Sequence, residues 1–351
     1  VGQPGVFLDA RVDSGRAMTL LVQARGVTDL ADLRTRVDRW EALGLDGVVV
    51  TDHLFSPGRD RESTPRPPDT FVLLAAIATL STRLSVGSLV ANIGIVHPAL
   101  VLRHAAQLAA LVGGDRVVAG LGAGWNPEEF EALGDTMPGY GERMTRLESA
   151  VRFAREQFDA GIASASGSGF VADRVPLSPE SSVPPRLLVG GGSERLLRLG
   201  GRYADRIDLN APSSAGRISA SDPAGDDGRR RLRTTDTDLL ASIDVVRSAA
   251  RDAGRPMPEL SVFVDTVIVT DDTDVAAHEE ALCRTRSIEP RSLAECPFVL
   301  IGSADAIARS LGSRIARLGL TRVILPDGPH LEALVAARGR AVTTMNRRSE
   351  E

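Results

Sequence analysis

Short apolar runs rich in β-branched residues alternate along this chain with longer stretches in which apolar residues recur at helical spacing. MTLLVQ, from Met18, reads as a strand, and residues 28–43 then place Leu30, Leu33, Val37 and Trp40 on one helical stripe. LDGVVV, 45–50, is a second strand, followed by a helix from Asp69. RLSVGSLV from Arg83 is a third, followed by a helix that Pro98 opens at its first turn. DRVVAGLG from Asp115 is a fourth, and the helical region after it is interrupted near Gly139. RLLVGG from Arg186 and DRIDL from Asp205 flank the helix SERLLRLGGRYA, and LSVFVDTVIV from Leu260 and TRVILP from Thr321 bring the strands to eight. Continuous apolar strands separated by helices imply a parallel sheet covered on its faces. Eight such units predict an α/β fold of the (β/α)8 TIM-barrel type, with an open doubly wound sheet as the competing arrangement.

Two stretches break the repeat and read as inserted loops: 161–185, rich in Ser and Gly, and 211–235, which carries GDDGRRRLR. The Arg run there is expected to be a solvated loop face. Residues 1–17 are expected to be a flexible tail, and 18–345 a single barrel domain.

Hydrophobic residues make up 43% of the chain and charged residues 25%, so a sizeable core is available. The formal net charge of -5 disfavours a protein built to neutralise nucleic acid or an anionic membrane, and points to a small-molecule partner. No apolar run reaches the ~18 residues of a membrane span, and a cytoplasmic location is expected. All 41 basic residues are Arg. Without a lysine, Schiff-base chemistry and the GK-type phosphate loop are excluded. Cys283 and Cys296 lack zinc or dithiol spacing, and His97 and His104 belong to no metal-ligand cluster, so no metal site is expected.

In a barrel the chemistry sits just beyond the carboxyl ends of the strands. Those positions here are Asp52 and His53 after strand two; Ser88, Leu89, Val90, Ala91 and Asn92 after strand three; Trp125 after strand four; and Gly190, Gly191, Gly192 and Ser193 after strand five. The GGGS turn admits close backbone approach and leads into a helix N-terminus, with Ser193 as its cap, so it suits a phosphate. GLGAGW is not a dinucleotide fingerprint, since Trp125 replaces its last glycine; Trp125 reads instead as a wall beside a flat ligand. Asp52 and His53, adjacent at a strand end, point apart: His53 suits proton transfer and Asp52 a cofactor edge.

Five segments, GLDGVVVTDHL (44–54), TRLSVGSLVANIGIVHPALVLRHAAQLAAL (82–111), GDRVVAGLGAGWNPEEFEALG (114–134), RLLVGGGSERLLRLGGRYAD (186–205) and FVLIGSADAIARSLG (298–312), together resemble the bacterial luciferase-like superfamily, specifically its coenzyme F420-dependent oxidoreductases. The resemblance implies a homodimeric barrel, with a deazaflavin ring over a strand-three bulge whose non-proline cis bond would fall between Ser88 and Leu89. It implies ring contacts from Asp52 and Leu89 to Asn92, a phosphate held by Gly190 to Ser193, and His53 as acid or base. The family's sugar-phosphate dehydrogenases carry a glutamate where this chain has Trp125, and lysines that it lacks. The expected reaction is therefore hydride exchange with a small, less polar substrate, with His53 and Trp125 as the catalytic pair. FMN-dependent monooxygenation and a non-catalytic flavin-binding or sensor role are the alternatives.

Overall fold

Every one of the eight apolar runs contributes one strand to a barrel, and the strands close on themselves. The structure is a computed structural model that describes residues 19–55, 67–167, 169–179, 181–212 and 223–336. The expected tail at 1–17 and the stretch 213–222 lie outside them. The first half runs β1 (Thr19–Gln23), α1 (Leu30–Ala42), β2 (Gly47–Val50), α2 (Thr70–Leu80), β3 (Ser85–Ser88), β4 (Ala91–Asn92), α3 (Pro98–Val112), β5 (Val117–Gly122), α4 (Pro127–Ala132) and α5 (Tyr140–Ala160). The second runs β6 (Ile162–Ala165), β7 (Ala172–Pro176), β8 (Arg186–Gly191), α6 (Glu194–Tyr203), β9 (Arg206–Leu209), α7 (Pro223–Arg233), α8 (Asp236–Asp252), β10 (Glu259–Phe263), β11 (Thr266–Val269), α9 (Val275–Thr285), β12 (Val299–Gly302), α10 (Ala304–Leu318) and β13 (Arg322–Pro326).

The barrel order is β1-β2-β3-β5-β8-β9-β10-β13, each strand parallel to its neighbours, with β13 returning to β1. The open sheet is thereby excluded. Helix starts follow capping chemistry. Asp29 accepts the amides of Ala31 and Asp32 at 2.8 and 2.9 Å, and α1 buries Leu33, Val37 and Trp40, while Leu30 is exposed. His97 caps α3 ahead of Pro98.

Most core residues lie between the strands and the helices, whereas Leu21, Val49 and Ile324, with Leu89 and Phe263 against them, form a small apolar plug inside the barrel. Below it the first residues of three strands meet: Glu259 lies between Arg206 at 2.9 Å and Arg322 at 2.8 Å.

Three readings of the chain need correction. LSVFVDTVIV is two strands: β10 belongs to the barrel and β11 pairs with β12 in a separate sheet. The break falls at Val264 and Asp265, whose amides turn to Ile324 and Phe298 and whose Asp265 carboxylate pairs with Arg231. The Arg run is not a solvated loop face throughout. It lies on helix α7, and Arg231 is buried at 8% exposure, stacked 4.0 Å from the Phe298 ring and bonded to the Phe263 carbonyl and to Asn210. The third concerns the strand-three bulge, described below. The stretch 161–185 holds the antiparallel hairpin of β6 and β7.

Candidate functional site

The ladder between β3 and β5 is interrupted at one place. Val86 and Gly87 pair with Val117 and Val118, and Ala91 and Asn92 pair again with Leu121 and Gly122. Between these pairs the Ser88 hydroxyl does what backbone would otherwise do, accepting the Gly120 amide at 3.0 Å and donating to the Gly120 carbonyl at 2.9 Å. Leu89 and Val90 are thereby released into the barrel mouth, where both are partly exposed.

The non-proline cis bond lies between Leu89 and Val90, one residue beyond the expected Ser88–Leu89. The pairing explains the offset: Ser88 is still paired to Val50, and the Leu89 amide still donates to the Val50 carbonyl at 2.8 Å, so the chain leaves the ladder only after it.

Space for this bulge comes from two glycines of the neighbouring strand β5. A Cβ on Gly122 would lie 2.2 Å from Val90 Cγ2, and one on Gly120 would lie 2.0 Å from the Ser88 carbonyl oxygen. Asp52 braces the bulge from the other side. Its Oδ2 accepts the Asn92 amide at 2.8 Å and its Oδ1 accepts the Thr70 hydroxyl at 2.9 Å. The Asn92 side chain turns back to accept the Gly94 amide, so neither Asp52 nor Asn92 is without a partner inside the protein.

His53 points away from Asp52 and meets a residue that the strand-end reading did not include. Its Nδ1 lies 2.9 Å from Oε1 of Glu129, whose side chain is 2% exposed. The same oxygen accepts the Leu54 amide at 3.0 Å. An oxygen already accepting from an N–H acts as acceptor, so the His53 proton sits on Nδ1 and Nε2 is left for the pocket. Trp125 meets the imidazole edge-on, with centroids 5.7 Å apart and planes at 81°. The signal for Glu129 was present in WNPEEF: Asn126 caps α4, Pro127 opens it, and Glu129 in its first turn reaches back to His53.

At the end of β8, the strand next to β5, the GGGS turn leads into α6, and Ser193 caps it by accepting the Leu196 amide. Its glycines also serve packing. A Cβ on Gly192 would lie 2.0 Å from the Ala211 carbonyl oxygen, and Gly191 has φ +155°. Ser193 satisfies one first-turn amide of α6, and the others are of the kind that a helix N-terminus leaves open to solvent or a ligand.

Two further groups escaped the strand-end reading. Arg231 joins the ends of β9 and β10 as described above. Asp208, on β9, is buried within the barrel beside Gly190, and accepts the Ser261 hydroxyl at 2.6 Å. Burial pushes its carboxyl up to about 7, against the lowering effects of Ser261 and Arg231. Its only trace in the sequence is the second of the two acids in DRIDL, set between Ile207 and Leu209.

The donor set fits a flat cofactor with an anionic tail. Leu89 and Val90 offer an apolar floor, His53 and Trp125 a rim, and the start of α6, which follows the strand next to β5, a helix N-terminus suited to an anion. No group of His, Cys, Asp or Glu among the described residues could hold a metal ion, and no helix among them is long and apolar enough to cross a membrane.

Comparison with known proteins places this geometry in context. The family described as luciferase-like monooxygenase matches residues 5–221. Pyrimidine monooxygenase RutA of Escherichia coli (strain SMS-3-5 / SECEC) is 26% identical over 212 residues, covering 60% of this chain and 52% of the relative. The aligned stretches span about half to two thirds of the curated relatives they match. Among solved structures, an F420-dependent secondary alcohol dehydrogenase in complex with an F420-acetone adduct superposes with a TM-score of 0.71 at 17% identity, covering 92% of this chain and 97% of the other. Riboflavin lyase RcaE, solved with modified FMN and riboflavin, gives 0.68 at 14% identity, covering 93% and 92%. At such identities these two likenesses establish the barrel alone.

Proposed function

This chain belongs to the luciferase-like monooxygenase family, and from that premise we propose that it is an oxidoreductase that uses coenzyme F420 to exchange a hydride with a small organic substrate. The observation that carries the reading is the His53–Glu129 pair at the rim of the bulge. When bound, the deazaflavin supplies the hydride donor or acceptor at C5. The chain's residues do the rest. Leu89 and Val90 would carry the ring, Asp52 holds the backbone just after them at the Asn92 amide, and the start of α6 would receive the phosphate.

His53 handles the proton. With Nδ1 tied to Glu129, Nε2 faces the pocket, where it takes the hydroxyl proton as an alcohol is oxidised or returns one as a double bond is reduced. Trp125 walls the same space and favours an apolar substrate portion over a charged one. The solved alcohol dehydrogenase with its F420-acetone adduct supports this reading.

A second reading, FMN-dependent monooxygenation, is favoured by the likeness to RutA, a monooxygenase by name. Fluorescence titration of the purified protein with F420 and with FMN, followed by oxygen consumption with reduced FMN, separates the two. Tight F420 binding with no FMN-dependent oxygen uptake is the expected outcome, and FMN binding with oxygen uptake overturns it.

A further inference from the structure

Helices α5 and α6 run side by side on the outer surface with their N-termini together at the barrel mouth. Arg195, in the first turn of α6, reaches Thr145 at 3.0 Å near the start of α5, and Arg155, farther along α5, bonds the Tyr203 carbonyl at 3.1 Å at the end of α6. Between them lies a cavity of about 120 Å³ lined by Glu148, Arg152, Arg195, Arg198, Arg202 and Tyr203.

Four guanidinium groups thus face one groove in a protein of net charge -5. Two of them are committed: Arg195 grips Glu148 with two bonds of 2.7 Å, and Arg198 pairs with Glu194. Arg152 and Arg202 form no ion pair among the described residues, and Arg152 lies over the Tyr203 ring at 5.6 Å. The field they create is felt by Glu148, whose carboxyl is held below its ordinary range first by the Arg195 hydrogen bond and then by the charges of Arg195, Arg152 and Arg202. The groove is therefore cationic and short of anions.

Its position selects the anion. Arg195 follows Ser193 by two residues, so the groove begins where the α6 N-terminus would hold a cofactor phosphate and runs away from it down the helix. Residues 195 to 202 cover about 10 Å at 1.5 Å per residue, room for roughly two glutamyl units. FMN ends at its phosphate, whereas coenzyme F420 continues into a chain of γ-linked glutamates, each with a free carboxylate. Guanidinium forks match carboxylates in geometry as well as charge. We propose that the α5–α6 groove holds the oligoglutamate tail of coenzyme F420, with Arg152 and Arg202 pairing to its carboxylates. This rests on the deazaflavin reading above and deepens it.

The test is a fluorescence binding titration with the tail-free deazaflavin and with F420 bearing short and long tails, at low and high salt. It uses the wild-type protein and an Arg152→Ala/Arg202→Ala double variant whose folding is checked by thermal melt. Wild-type affinity should rise with tail length and lose that rise at high salt. The double variant should bind long-tailed F420 roughly 2- to 30-fold more weakly, as expected for two exposed ion pairs, and the tail-free form unchanged. Equal affinity for short and long tails, or a tail-length dependence that survives in the variant, overturns the groove assignment while leaving the deazaflavin reading intact. Binding of FMN with none of the deazaflavins overturns both.

Discussion

At the scale of single residues, the site depends on where two protons sit. Glu129 fixes the His53 proton on Nδ1 through a 2.9 Å contact, and the Leu54 amide holds the carboxylate in place. Glu129→Gln can present an amide nitrogen to the imidazole and reverse its tautomer. It should lower kcat about 10- to 100-fold with KM nearly unchanged, and His53→Ala should lower kcat by about 10²- to 10⁴-fold. Steady-state kinetics on the two variants decides this, and a Glu129→Gln enzyme with full kcat would remove the proton-relay reading. Asp208 holds the second proton. Its folded-state value of about 7 lies above the 3.8 of an unperturbed aspartate because burial penalises the charge. A raised value means stability that is fully present below about pH 4 and lost as pH rises through 7. Asp208→Asn can still accept from Ser261 and does not ionise, so its advantage in melting temperature should grow by several degrees (~) from pH 5 to pH 8. Scanning fluorimetry at the two pH values tests this; a constant difference contradicts it. Neither proton is legible in the sequence. His53 and Trp125 announced themselves by standing at strand ends, whereas Glu129 reaches the site from a separate helix and Asp208 hides among apolar neighbours on β9.

At the scale of elements, the strand-three bulge is held open by a side chain standing in for backbone. Ser88→Ala would leave the buried amide and carbonyl of Gly120 without the hydroxyl that pairs with both. It should destabilise the protein by about 1–3 kcal/mol, measurable by urea denaturation, while Ser88→Thr, which retains the hydroxyl, should recover part of that. The run RLSVGSLV could suggest a strand but not the place where its ladder breaks, since the apolar pattern continues through Leu89 and Val90. The same limit applies at LSVFVDTVIV. Nothing local marks the turn at Asp265, because its cause is Arg231, 34 residues earlier in the chain. Charge density in the Arg run describes Arg233 at the surface but not Arg231, which faces inward onto Phe298.

At the scale of the whole molecule, the barrel was the most legible property, because alternation of buried strands with amphipathic helices is dictated by periodicity and closure by the number of units. What periodicity leaves out is an apolar surface turned away from the barrel. Helix α2, TFVLLAAIATL, has two polar residues, and one of them, Thr70, is buried against Asp52. Its outward side carries Val72 at 70% exposure, and the adjoining α3 exposes Leu100 at 48% and Leu111 at 64%. Helices apolar on every side are ordinarily covered, and a patch shared by two neighbouring helices suits a self-complementary interface between two copies of the chain. A stable interface of this kind buries about 800 Å² per partner, within reach of two helices and their flanking loops. Sedimentation velocity should therefore give a dimer at micromolar concentration. A Val72→Glu/Leu111→Glu variant should run as a monomer with an unchanged far-ultraviolet circular dichroism spectrum, because both side chains already face solvent within one copy. A wild-type monomer, or a dimer indifferent to both charges, would move the interface elsewhere or abolish it.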